Sequence, residues 1–193
     1  MRGLIVPGLD GSGPTHWQTL WQQHYEFERV EQQDWAKPNA SAWTKMLDEA
    51  IGAGRDKVVL IAHSLGCWTV ILWADWYPER IDRVHAALLV APPDIASFTS
   101  LPTSAADFIR HPKKPLPFPS ILVGSENDPY TKIERAQALA EAIGSRFVNA
   151  GFVGHINAES GHGPWPLGDV LLQRLINNDL KDSNLNSSGS LFE

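Results

Sequence analysis

The chain has 193 residues, 43% hydrophobic and 20% charged, enough apolar material for a packed core and short for two domains of about 100–200 residues each. Its 22 Asp and Glu against 16 Lys and Arg give a net charge of −6. That argues against nucleic acid or an anionic membrane as partner, because phosphate binding needs a concentrated surface of Lys and Arg, and the stretch His111–Lys114 is too short to provide one. Cys67 is the single cysteine, which excludes an intramolecular disulfide framework or cysteine-only zinc site and fits a reducing compartment. The N-terminal apolar run is too short for a signal core and no stretch is long enough to span a bilayer, so the expected location is the cytoplasm.

Apolar runs alternate with amphipathic stretches. Leu4–Val6 reads as a buried strand, followed by the turn-rich Pro7–Pro14 and a helix from Thr15 to about Tyr25. Phe27–Val30 is a weaker strand. Ser41 is placed to cap a helix running to about Ala53, with Trp43, Met46, Leu47 and Ala50 on one face. Val58–Ala62 is the strongest buried strand, and Leu65–Tyr77 an apolar helix stopped by Pro78. Val84–Val90 repeats the strand pattern. The Pro-punctuated section Pro92–Pro119 allows only short helices before the next strand, Ile121–Val123. A helix over Thr131–Ile143, a strand at Arg146–Val148 and a helix from about Leu167 to Asn178 complete the pattern. Residues 1–180 are predicted to form one domain, and Lys181–Glu193 a flexible polar tail. About six alternations of strand and helix predict a parallel sheet with helices on both faces, and functional loops at the strand carboxyl ends.

The strongest chemical signal is Val58–Cys67, a buried strand, a tight turn carrying Ser64, then an apolar helix. A nucleophile elbow needs that setting, with small residues two positions before and after the serine because strand and helix approach closely there. Ala62 and Gly66 meet the requirement, although the first position is usually glycine. The bland alternative for Ser64 is a helix N-cap. A serine hydroxyl needs a base, and the base needs an orienting acid, in the chain order Ser, acid, His for this kind of sheet. Asp128 follows the strand Ile121–Val123 and is favoured, with Glu126 and then Asp94 behind it; its alternative role is an N-cap or Asx-turn before the next helix. His155 follows the last strand and is favoured over His162, while the side chain of His63 is expected to leave the elbow in another direction.

An oxyanion hole would take one backbone N–H from Leu65 and one from the loop after the first strand, where Gly8 allows close approach. Leu9 is the favoured donor there and Asp10 the one-residue-shifted alternative. Trp165 and the section from Phe98 to Phe118 are candidates for a pocket wall, with core packing as their competing role.

Val6-Pro-Gly8, Gly11–Pro14 with His16-Trp-Gln18, Ala62–Gly66, Gly124–Tyr130, Gly154–Asn157 and Gly163–Pro166 resemble the small serine hydrolases related to retinoblastoma-binding protein 9 and the bacterial YdeN-like proteins. The resemblance spans nearly the whole chain apart from the tail. It implies a compact α/β-hydrolase fold, a three-layer sandwich with strand order 2-1-3-4-5-6 and no large cap. It also implies that Ser64, Asp128 and His155 are the catalytic residues and that alanine is tolerated at Ala62.

The expected function is therefore hydrolysis of a small ester or amide through an acyl-enzyme, with no cofactor and no metal. Two other classes stand beside it. Gly8, Gly11 and Gly13 after the first strand offer a pyrophosphate cradle of a nucleotide-dependent oxidoreductase as one alternative, but their spacing is not G-x-G-x-x-G. A non-catalytic interaction module on the same fold is the second, its protein partner not derivable from sequence. His155, Glu159 and His162 lack the spacing of helical metal ligands.

Overall fold

The apolar runs become six strands: β1 (Arg2–Val6), β2 (Glu28–Arg29), β3 (Val58–His63), β4 (Val84–Val90), β5 (Ser120–Gly124) and β6 (Arg146–Asn149). A computed structural model, which describes residues 1–96, 103–108, 112 and 114–179, pairs them all in parallel in the order β2-β1-β3-β4-β5-β6. This is the predicted order.

Side chains along a strand alternate between faces, so consecutive residues divide the core in two. Leu4, Val6, Leu60, Ala62, Ala87 and Leu89 pack on one face with α2 (Ala40–Gly52), α3 (Leu65–Trp76) and α4 (Ile133–Ala142). Ile5, Val59, Ile61, Leu88 and Val90 pack on the other with α1 (Trp17–His24) and α5 (Pro166–Ile176). Three layers result. Trp17, Trp21, Trp43, Trp68, Trp73 and Trp165 are buried in these two clusters, which assigns most of the tryptophan content to packing. Trp73 also donates its Nε1–H to Asp48 Oδ1 at 3.2 Å, fastening α3 to α2.

Three local features differ from expectation. Asn39, not Ser41, caps α2: its Oδ1 accepts from the Ala42 amide at 2.9 Å. α3 ends at Trp76, just before Pro78 as expected, but Pro78 then opens a 3₁₀ turn, Pro78–Arg83, which suits a residue without an N–H to donate. α4 starts two residues later than predicted, its cap position at Lys132. Among the described residues, the section between Pro92 and Pro119 carries one 3₁₀ segment, Thr103–Phe108, and no inserted cap. The predicted tail, Lys181–Glu193, lies outside the described residues. No helix among the described residues is long and apolar enough to cross a membrane.

The winding of the sheet turns around between β1 and β3, so the loops after these two strands face each other at their carboxyl ends. Leu60 at the centre of β3 is fully buried, and Leu60→Ala is expected to cost about 2–5 kcal/mol in urea unfolding, from lost transfer energy and the remaining cavity.

Candidate active site

Ser64 sits between β3 and α3 with φ 53° and ψ −125°, a backbone conformation rarely adopted by a residue with a side chain. It occupies the cap position of α3, yet its side chain makes no capping hydrogen bond, so the hydroxyl projects away from the helix. Its amide is held by the Val90 carbonyl of β4 at 2.9 Å. Space for the turn comes from small neighbours. A Cβ at Gly66 would strike the Val6 and Pro7 carbonyl oxygens, and one at Gly8 would stand 2.8 Å from Ser64 Cβ and 3.0 Å from the Leu65 nitrogen. Ala62 pairs with Val6 across the β1–β3 ladder, where its methyl is accommodated and fully buried.

His155 arrives on the loop after β6, which turns through positive φ at Gly151, Gly154 and Ile156. Its Nε2 lies 3.0 Å from Ser64 Oγ, and its Nδ1 lies 2.9 Å from Asp128 Oδ2 and 3.1 Å from Oδ1. With the proton on Nδ1 facing a carboxylate, Nε2 is left to accept from the serine hydroxyl. Asp128, its side chain sealed from solvent, also accepts the Tyr130 amide at 2.9 Å through Oδ1. The Asx-turn and the contact to histidine therefore coexist in one residue.

The competing residues lie elsewhere. Glu126 is exposed and accepts from Asn149, Asp94 pairs with Arg135 at 3.0 Å, and His162 Nδ1 lies 3.3 Å from Ser160 Oγ. Leu9 and Leu65 flank Ser64 on the wall of one cavity of about 680 Å³, together with His155, Tyr130 and Glu159. The Asp10 amide is occupied by the Trp35 carbonyl at 3.1 Å, whereas the Leu9 and Leu65 amides have no backbone acceptor among the described residues. Trp165 does not line this cavity. It packs against Trp17 and Trp21 under α1, because as the residue preceding α5 it faces the core. Phe108 and Phe118 are likewise buried in the opposite core, and Phe98 lies outside the described residues.

Sequence reasoning missed the contacts that hold His155 in place. Ser125 Oγ accepts the Val153 amide at 3.1 Å and Asn127 Oδ1 accepts the Gly154 amide at 2.7 Å, so the loop bearing Asp128 clamps the loop bearing His155. The Ser-Glu-Asn stretch before Asp128 was the available signal. His63, buried beneath the elbow, donates its Nε2–H to the His155 carbonyl at 2.9 Å. Burial, then the neighbouring His155 and His16, holds the His63 pKa well below the ordinary histidine value. Burial above all, then Arg29, His155 and His162, lowers His16 to about 4. Cys67, on the first turn of α3, is poorly suited to act as a nucleophile, since burial raises its pKa and its Sγ–H is directed to the Val90 carbonyl at 3.3 Å. Among the described residues, no group of three or more His, Cys, Asp or Glu is arranged to hold a metal ion.

The sheet order and a serine on a strained turn after β3 define an α/β hydrolase. A family model described as serine hydrolase matches residues 3–174, and the chain belongs to that family. A protein described as a YdeN-like hydrolase from Pectobacterium atrosepticum is 30% identical, over 93% of this chain and 91% of that one, with a TM-score of 0.78. The ydeN gene product of B. subtilis (14% identity, 92% of this chain and 100% of that one, TM-score 0.68) shares the fold. So does mouse alpha/beta hydrolase domain-containing protein 10 (16% identity, 92% and 90%, TM-score 0.65). A comparison with curated protein sequences finds no match. The predicted resemblance to YdeN-like serine hydrolases holds.

The buried histidines make stability depend on pH. His16 and His63 are neutral when folded but protonate near pH 6.5 when unfolded, so the unfolded state binds more protons below that value. Stability is expected to fall as pH drops from about 6.5 toward 4, His16 alone contributing a loss on the order of 3 kcal/mol at the lower limit. Urea unfolding across that range checks this.

Proposed function

We propose that this serine hydrolase cleaves small ester or amide substrates through an acyl-enzyme on Ser64. The observation that carries the proposal is the continuous line of contacts from Ser64 Oγ to His155 Nε2, and from His155 Nδ1 to Asp128, opening on a cavity. In the proposed reaction His155 takes the hydroxyl proton as Ser64 attacks the carbonyl carbon. The Leu9 and Leu65 amides receive the oxyanion; the use of the Asp10 amide by Trp35 favours Leu9 over the shifted alternative.

His155 then protonates the leaving alcohol or amine. Water, deprotonated by the same imidazole, attacks the acyl carbon and releases the acid, regenerating Ser64. Asp128 holds the Nδ1–H tautomer and stabilises the imidazolium without itself taking the proton. The neutral state of His63 and His16 supports this assignment, because a charged ring beside His155 would oppose the positive charge it must acquire.

A fluorophosphonate probe is expected to label the protein once per chain, and Ser64→Ala to abolish the labelling; labelling that survives the substitution contradicts the assignment. His155→Ala is expected to reduce ester turnover by about 10³-fold or more, and His162→Ala by less than about 10-fold. Gly8→Ala places a Cβ against the elbow and is expected to lower kcat by about 10²–10³-fold, the typical cost of one lost oxyanion donor. Steady-state assays with an activated aryl ester read both effects.

A further inference from the structure

His16 is almost wholly buried, 5% exposed, yet it lines the cavity that contains Ser64. Its backbone caps α1, and its Nδ1 accepts the Gln18 amide at 3.1 Å. An imidazole that accepts at Nδ1 carries its proton at Nε2 when neutral. That Nε2–H has no acceptor among the described residues, and it is not sealed within the core. The ring cannot turn freely, since it packs at 5.4 Å from Trp17 and edge-on at 4.8 Å from His63, centroid to centroid. It is thus a donor held in place by its packing, in a nearly buried side chain on the wall of the substrate cavity.

We propose that His16 binds the substrate, its Nε2–H donating a hydrogen bond to an uncharged oxygen acceptor carried beyond the reacting carbonyl. The inference rests on the acyl-hydrolase reading above, which already assigns the reacting oxygen to Leu9 and Leu65. The acceptor is an ether, hydroxyl or second carbonyl oxygen and not a carboxylate. Asp10 and Glu159 are the charged side chains on the cavity wall among the described residues, and both repel an anion. His16 itself brings no countercharge: burial and the nearby Arg29, His155 and His162 keep it neutral through the physiological range, and the adjoining His63 is neutral too. A neutral donor of this kind rejects an analogue lacking the acceptor, because the donor is then left unpaired.

The test uses two pairs of esters, each differing by one oxygen in place of one methylene: methoxyacetyl against butyryl esters of one alcohol, and 2-methoxyethyl against butyl esters of one acid. The ratio of kcat/KM within each pair is compared between wild type, His16→Asn and His16→Phe, so that intrinsic reactivity cancels. Asparagine keeps the helix cap, but its amide nitrogen stops short of the Nε2 position; phenylalanine keeps a ring without either nitrogen. In at least one pair the preference for oxygen is expected to fall by about 3–10-fold in both variants, and in wild type to stay constant from about pH 6 to pH 8. A ratio identical in wild type and both variants for both pairs overturns the proposal. Ester turnover equal in wild type and Ser64→Ala overturns the acyl-hydrolase reading and this inference together, which separates the two failures.

Discussion

The turn at Ser64 is the constraint on which the rest of the site depends. Holding a residue with a side chain at φ 53° and ψ −125° costs about 1–3 kcal/mol, and the conformation persists because its surroundings permit no other. β3 enters it as a fully paired central strand, β4 grips the serine amide through Val90, and α3 leaves it as an almost entirely buried helix. Burying side chains such as Leu60 and Ile61 contributes about 1.5–3 kcal/mol each, so a few core residues offset the strain. The close approach at Gly66 and Gly8 follows from the same geometry. A larger residue at either position would push the β1 loop, and the Leu9 amide with it, away from the serine.

Two loops from the far half of the sheet converge on that turn and hold each other. Ser125 and Asn127 pin the chain before His155, and Asp128, anchored by the Tyr130 amide, fixes the imidazole itself. His63 adds a third attachment from below, through the His155 carbonyl. The residue before the serine therefore registers the position of the residue that faces it. The row of rings His16, His63 and His155, at 4.8 Å spacings, places two neutral imidazoles beside the one assigned to carry charge.

What was legible in the sequence follows from the range of the physics involved. β3 and α3 were readable because a continuous apolar run ending in a small-residue turn has few other structural meanings; the alternation of elements gave the parallel sheet, and the strand order came from the resemblance to small serine hydrolases. Asp128 and His155 were favoured because each follows a strand end. Choices between near neighbours depended on distant contacts. Asn39 and Ser41 are both capping types, and tertiary packing set the register of α2. The contact of the Asp10 amide with the Trp35 carbonyl, which bears on the choice between Leu9 and Asp10, joins residues far apart in sequence. Trp165 suited a pocket wall or a core equally well until its neighbours Trp17 and Trp21 were known. The partner of His63 is a carbonyl 92 residues away, which no local pattern encodes.

The most direct test of the central claim is to trap the acyl-enzyme and map it. Incubation with an aryl carbamate, whose serine adduct is slow to hydrolyse, followed by peptide mass mapping, should show one carbamoyl group per chain on the peptide containing Ser64. Its formation should track the loss of ester turnover, and turnover should recover as the adduct decays. Ester turnover that continues undiminished with no carbamoyl group on Ser64, or an adduct on Cys67 that accounts for the inhibition, would contradict the assignment of Ser64 as the nucleophile.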